Sequence, residues 1–153
     1  EDRVGEYFEM RPGEQSPYML LVAPLREAKR CALTPEEKER KGIDRLKNRR
    51  SELPAVTHVD YSARVQTVDK CRHERYHRLI SSFEKKTGCP VIINTSFNVR
   101  GEPLVCSPEE AYRCFMATDI DALVLERFVL LKERQPKADA SEREEYVKSF
   151  KLD

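Results

Sequence analysis

The sequence predicts a mixed α/β domain, α+β in the way strands and helices interleave, and three observations carry that expectation. Apolar runs too short for a stable helix recur at residues 17–23, 90–93 and 121–131, the pattern of buried strands. Residues 72–86 place Tyr76, Leu79, Ile80 and Phe83 at helical spacing, so that one face can pack on a sheet. Ser107-Pro108-Glu109-Glu110 reads as a capping box with proline at the first helical position, a strong helix start. A length of 153 residues suits one domain that buries its core without disulfide or metal staples.

Taken in order, Pro17-Tyr-Met-Leu-Leu-Val-Ala23 is continuous apolar sequence next to Pro24, and reads as the first core strand. Residues 34–52 are almost wholly charged, with Thr34 as N-cap, Pro35 following and Glu37 three residues on. This predicts a solvated helical insertion broken near Gly42, a wet surface because acidic and basic residues are interspersed. Residues 54–60 and 64–68 alternate polar and apolar side chains, which predicts two strands joined by a bend at Asp60-Tyr61-Ser62. Helix 72–86 ends at Thr87-Gly88, with Gly88 as C-cap. A buried strand over 91–94 then leads into a polar loop and the helix from Ser107 to about Thr118. The last strand spans 121–131 with a bend at Glu126-Arg127, completing a strand, helix, strand succession. The body of the domain is residues 1–132, and residues 133–153 form a charged tail with a short helix at 141–151.

Bulk composition narrows the function. Lys plus Arg total 28 against 27 for Asp plus Glu, so there is no general attraction for nucleic acid or membranes, and any basic function is local. Five cysteines form an odd set without the tight pairs of zinc or redox motifs, which predicts reduced thiols in a cytoplasmic protein. No apolar run approaches the roughly 20 residues of a membrane helix, and the charged start Glu1-Asp-Arg-Val-Gly-Glu is no leader. A chain starting there without methionine also reads as a piece of a longer protein.

The densest polar cluster is Asn94-Thr-Ser-Phe-Asn-Val-Arg-Gly-Glu-Pro103. Asn94, Thr95, Ser96 and Asn98 offer small donors and acceptors, and Arg100 a planar fork for phosphate or carboxylate. The end of a buried strand is also where open α/β sheets place ligands. On composition alone an ordinary polar turn is the simpler reading. Arg64, opening a strand that continues apolar, needs either solvent or an anion. A phosphate or a structural pair with Asp60 or Asp69 would both serve. Arg26, Lys29 and Arg30 could line an anionic pocket, and read equally as the polar start of the next segment. His73 and His77 share the i, i+4 spacing of zinc ligands but not the His-Glu-x-x-His order. Charged neighbours put them on the wet side of the helix, so no metal site is expected. His58 reads as structural, and no cysteine has a base beside it.

Four stretches occur in one order: Ser16-Pro-Tyr-Met-Leu-Leu-Val-Ala-Pro24, residues 54–67 (Pro-Ala-Val-Thr-His-Val-Asp-Tyr-Ser-Ala-Arg-Val-Gln-Thr), the loop 94–103, and Ala111-Tyr-Arg-Cys-Phe115. The series resembles the C-terminal part of the O-carbamoyltransferases that decorate nodulation factors and antibiotics, over about residues 1–132. That resemblance implies a YrdC-like fold, a twisted mixed sheet flanked by helices, carrying the charged insertion at 34–52. It further implies binding of carbamoyl phosphate and ATP, with Mg2+ on the ATP phosphates, and formation of a carbamoyl-adenylate. A separate N-terminal domain with bound metal would then pass the carbamoyl group to a small-molecule hydroxyl. Carried over residue by residue, Arg64 and Ser96 would hold carbamoyl phosphate, and Asn94, Thr95, Asn98 and Arg100 would contact nucleotide or phosphate. Arginines and hydroxyls suffice for such a step, which needs alignment and charge neutralisation more than an acid or base. Glycine is expected where Tyr61 stands. The alternative is a non-catalytic nucleotide or RNA binding module of the same fold, against which the near-neutral charge counts.

Overall fold

The computed structural model describes residues 1–137 and 140–150, and the chain divides into two compact units, Glu1–Ile93 and Asn94–Asp153. The expected mixture of helix and strand is present, carried by two two-stranded antiparallel ladders. The N-terminal unit contains α1 (Val4–Tyr7), β1 (Leu21–Pro24), α2 (Pro35–Glu39), β2 (Ser62–Val65) and α3 (Glu74–Thr87), with 3-10 turns at Glu27–Lys29 and Gly42–Lys47. β1 pairs with β2 so that Val22 stands opposite Arg64 and Ala23 opposite Ala63. The two-residue period of a strand then sends Val65 inward and Arg64 out to solvent. Ala63 and Val65 join Tyr7, Phe8, Ala23, Leu25 and Leu53 in this unit's core. Ser16 lengthens the ladder beyond β1: its amide donates to Thr67 Oγ1 at 2.9 Å and its hydroxyl to the Val65 carbonyl at 2.7 Å.

The C-terminal unit holds α4 (Pro108–Ala117), β3 (Ala122–Leu125), β4 (Phe128–Leu131), a 3-10 turn at Lys132–Arg134 and α5 (Ala140–Ser149). The single bent strand expected over 121–131 is instead two antiparallel strands, because Glu126 in the left-handed region at φ +54° reverses the chain into a hairpin that sets Leu123 opposite Leu130. Ala111, Phe115 and Leu123 are buried together, with Phe97, Val105, Tyr112, Met116, Leu125 and Leu130 packed around them. Lys132 closes the C-terminus of α4: its ammonium donates to the Phe115 carbonyl and, at 2.7 Å, to that of Thr118. The last carbonyls of a helix need such partners. Burial, and then the nearby Arg143 charge, hold Lys132 below its ordinary value. The tail helix is present as α5, while its expected end at Lys151 lies outside the described residues.

The local start and stop signals act as read. Both capping boxes are closed, Thr34 with Glu37 and Ser107 with Glu110. Gly88 ends α3 at φ +78° with its N–H on the Glu84 carbonyl at 2.7 Å.

Several strand expectations need correction. Residues 54–60 are not a strand, because they fold into turns that spend their backbone groups locally: the Val56 amide donates to the Leu53 carbonyl at 3.2 Å, the His58 amide to the Ser62 carbonyl at 2.7 Å, and the His58 carbonyl accepts from the Tyr61 amide at 3.1 Å. Thr57 Oγ1 donates to the Leu53 carbonyl at 2.7 Å, and Ser51 Oγ accepts from the Leu53 amide at 2.9 Å. Residues 91–94 pair with no strand among the described residues; Val91 only packs against the core, and Ile93 is exposed. β1 is shorter than 17–23 and half wet, with Tyr18 and Leu20 standing in solvent. α3 buries none of its residues, and Leu79 is 58% exposed. The inner face of the ladder is already covered by Tyr7, Phe8, Leu25 and Leu53, so the apolar stripe of α3 finds no sheet to pack on.

The charged insertion is wet only to Lys47; Asn48, Arg50 and Ser51 are buried. Asn48 ties the segment together, donating to the Glu37 carbonyl at 2.8 Å and accepting from Arg40 at 3.0 Å. Arg50, 4% exposed, has a long 3.4 Å bond from Nη1 to the Asn48 carbonyl, and its Nη2 is buried with no hydrogen-bond partner among the described residues. A desolvated, half-satisfied guanidinium opposes folding. Arg50→Met is therefore expected to raise stability by about 1–3 kcal/mol, read as a higher urea midpoint, while exposed Arg49→Met stays within about 0.5 kcal/mol. A loss of stability in Arg50→Met would show that the guanidinium is satisfied after all.

Candidate functional site

The polar loop is a built turn. Gly101 sits at φ +85°, which fits the third position of a turn whose first carbonyl, Val99, accepts from the Glu102 amide at 3.0 Å. Arg100 occupies the second position of that turn and is exposed. The Val105 amide donates to the Phe97 carbonyl at 3.1 Å, and Phe97 packs into the C-terminal core. The loop is thus stapled by an aromatic on one side and led straight into the capped start of α4 on the other. At that cap the backbone amides of Cys106 and then Ser107 hold the Glu110 carboxyl below its ordinary value.

Within this loop the candidate residues divide by what they already do. The Asn98 side-chain amide donates to the carbonyls of Glu102 at 2.8 Å and Val99 at 3.2 Å, so its donors build the turn and its oxygen remains as an acceptor. Asn94, Thr95, Ser96 and Arg100 are all exposed. The hydroxyls of Thr95 and Ser96 and the Arg100 guanidinium take part in none of the hydrogen bonds or ion pairs among the described residues. The chain therefore brings Asn94, Thr95, Ser96, Asn98 and Arg100 onto one loop of the C-terminal unit.

Arg64 belongs to β2 of the N-terminal unit and points to solvent. The two carboxylates that could have paired with it are engaged elsewhere. Asp60 accepts from the Ser62 hydroxyl at 2.7 Å and the Ser62 amide at 3.0 Å. Asp69 accepts from the amides of Cys71 at 2.6 Å and Arg72 at 2.9 Å. The Arg64 guanidinium forms no ion pair among the described residues. The bonds from the Ser62 hydroxyl and then its amide also hold Asp60 below its ordinary carboxylate value. His58 Nδ1 meets the Ser62 hydroxyl at 2.9 Å, so the histidine is part of the bend that aims β2. The sequence carries that network only as a His-x-Asp-x-Ser spacing, which is too common to single out.

Tyr61 stands at the bend with φ +65°, the left-handed region where glycine is unstrained. Its ring lies 5.3 Å from the Arg30 guanidinium carbon, a compensating contact. Relief of about 1–2 kcal/mol of strain in Tyr61→Gly is offset by the lost stacking and by chain entropy. The net change is expected to be under about 1 kcal/mol, whereas β-branched Tyr61→Val should cost about 2 kcal/mol. Thermal melts of the two variants check the ordering, and equal melts would remove the strain argument.

The remaining candidates are quiet. Lys29 pairs with Glu52 at 2.9 Å, and Arg26 and Arg30 donate to the backbone carbonyls of Gly5 and Leu25. His73 is exposed and His77 lies beside Ser81 at 3.4 Å. All five cysteines are unpaired thiols. Two groups escaped sequence reasoning altogether: buried Arg50, indistinguishable from Arg49 in a charged run, and Glu102, which reads as one more turn residue.

Comparison with known proteins follows the same stretch of chain. The family model described as carbamoyltransferase C-terminus matches residues 1–132. An uncharacterized protein of Synechocystis sp. is 53% identical over 152 residues, covering 99% of this chain and 24% of the relative. The nodulation protein NolNO of Sinorhizobium fredii is 37% identical over 133 residues, 86% of this chain and 17% of the relative. The 3'-hydroxymethylcephem-O-carbamoyltransferase of Amycolatopsis lactamdurans is 51% identical over 55 residues, 36% of this chain and 11% of the relative. The chain spans less than a quarter of the length of these curated relatives. With a match across residues 1–132, the chain belongs to the carbamoyltransferase C-terminus family.

Proposed function

We propose that this chain is the carbamoyl-phosphate and ATP binding part of an O-carbamoyltransferase, forming the carbamoyl-adenylate that an N-terminal, metal-binding transfer domain of the same enzyme passes to a small-molecule hydroxyl. The observation that carries this reading is a set of anion-seeking groups with no hydrogen-bond or ion-pair partner for their side chains among the described residues: Arg64, Thr95, Ser96 and Arg100. Side chains kept for structure alone are bonded, as Asp60 and Asp69 are. A nodulation protein and a cephem O-carbamoyltransferase among the relatives support the reaction class.

The roles follow from chemistry. Arg64 and Ser96 are each assigned to carbamoyl phosphate by the family resemblance, the guanidinium as a neutralising, two-pronged phosphate contact and the hydroxyl as a hydrogen-bonding group. Hydrolysis of carbamoyl phosphate by water releases inorganic phosphate and leaves carbamate. A carbamate oxygen then attacks the α-phosphorus of ATP, and pyrophosphate departs with the electron pair. Thr95, Arg100 and the Asn98 oxygen, with Asn94, orient the nucleotide for that displacement, where alignment supplies most of the acceleration. Magnesium would enter on the ATP phosphates and neutralise their charge there.

The test is to incubate the full-length protein with carbamoyl phosphate and ATP and to measure pyrophosphate together with inorganic phosphate. Release of both, dependent on both substrates, is expected. A folded protein that yields no pyrophosphate would end this reading.

A further inference from the structure

One carboxylate fastens the loop that bears Asn98 and Arg100. Glu102 Oε2 accepts from the Val99 amide at 2.8 Å, and Oε1 accepts the hydroxyl of Tyr146 from α5. The backbone of Glu102 closes the turn as well: its N–H donates to the Val99 carbonyl at 3.0 Å, and its C=O accepts from Asn98 Nδ2 at 2.8 Å. The turn and α5 thus meet on a single half-buried side chain. Burial, followed by the Glu102 bond, pushes the Tyr146 phenol far above its ordinary value, and burial followed by the Glu102 charge pushes the Cys114 thiol up. Tyr146 stays protonated as the donor to Glu102.

Such charge-assisted bonds are roughly twice as strong as neutral ones, and their effect on a short exposed turn is to restrict its conformations before a ligand arrives. A loop ordered in advance does not have to be ordered by its ligand, so affinity rises without new contacts. The Tyr146 ring is itself held edge-on by Phe150, with centroids 5.1 Å apart, so its hydroxyl is aimed and not loose.

We propose that Glu102, braced by Tyr146 of the C-terminal helix, is a positioning residue that holds the Asn98–Arg100 turn in its ligand-binding shape. This rests on the reading of that loop as a nucleotide and phosphate contact. Neither residue touches the reacting atoms in this account; each acts through the turn.

Three variants of the full-length protein test it: Glu102→Ala, Tyr146→Phe and Glu102→Gln. Two quantities are measured, hydrogen exchange at the Val99 amide and the KM for ATP against kcat in pyrophosphate release. Glu102→Ala is expected to speed Val99 exchange and raise the KM by about tenfold each, the worth of one charged bond, with kcat within about twofold. Tyr146→Phe keeps the ring and loses only the hydroxyl, so both quantities should move the same way by about threefold. Glu102→Gln retains an acceptor for Val99 and a donor for Tyr146, and should restore most of the loss. Folded Ala and Phe variants with unchanged Val99 exchange, or with faster exchange and an unchanged KM, would overturn the proposal. If Glu102→Ala does not fold, Tyr146→Phe decides by the same two readings. If the unaltered protein releases no pyrophosphate, the assignment of the loop to ATP falls, and Val99 exchange alone upholds or overturns the brace.

Discussion

Arg64→Ala is expected to cut carbamoyl-phosphate-dependent pyrophosphate release by at least about a hundredfold while leaving the protein folded. Both halves of that expectation come from where the residue sits. Its side chain points away from the core between buried Ala63 and Val65 and has no ion pair among the described residues, so its removal breaks no internal bond. Exposed substitutions of this kind stay within about 0.5 kcal/mol. What is lost is a forked cation aimed at a dianion, and the penalty appears only when the anion binds. Arg64→Lys separates charge from shape: a point charge restores steering but not the paired bonds, so recovery should be partial, about tenfold below the original rate. Circular dichroism checks the fold, and steady-state pyrophosphate release checks the rate. Arg64→Ala working at the unaltered rate would place the carbamoyl-phosphate site elsewhere.

The largest stability effect is expected in the other unit. Phe115→Ala should cost about 3–5 kcal/mol, the usual loss for truncating a buried aromatic ring. Phe115 is 0% exposed and meets Tyr112 at 6.4 Å between ring centroids. The Lys132 ammonium lies 4.1 Å from its ring centre while donating to the Phe115 carbonyl, so the ring also seats the group that closes α4. Removal opens a cavity and loosens that closure together. Phe128, an aromatic only thirteen positions on by number and 72% exposed, supplies the control: Phe128→Ala should change stability by less than about 0.5 kcal/mol. Urea titrations of both variants decide the matter, and similar midpoints for the two would mean that the core around α4 is not packed as described.

The features legible in the sequence are those written within a few neighbouring residues. The capping boxes at Thr34 and Ser107, the glycine stop at Gly88, the bend at Glu126-Arg127 and the tail helix all appear in the structure. The polar loop was legible as a place, because its residue types crowd together, but not as a mechanism. That Asn98 builds the turn while Ser96 and Arg100 keep side chains without a partner among the described residues depends on which carbonyls approach, and composition is silent on that. The expectation of glycine at Tyr61 came from the family resemblance, and the left-handed backbone there supplies its physical cause.

By itself, then, the sequence determined the local punctuation, the mixed helix and strand content, and the family. Capping, helical period and turn preference act over one to four residues and need no distant partner. Tertiary structure alone decided which strand-like runs became strands, since residues 54–60 spend backbone bonds on turns, Val56 on Leu53 and His58 on Ser62, and 91–94 meet no partner strand among the described residues. It likewise decided that Arg50 is buried while Arg49 is not, that Asp60 and Asp69 leave Arg64 without an ion pair among the described residues, and that Glu102 joins a turn to the C-terminal helix. The reason is the same in each case: a strand, a buried charge and a brace are each defined by a partner far away in the chain, and only folding brings that partner near.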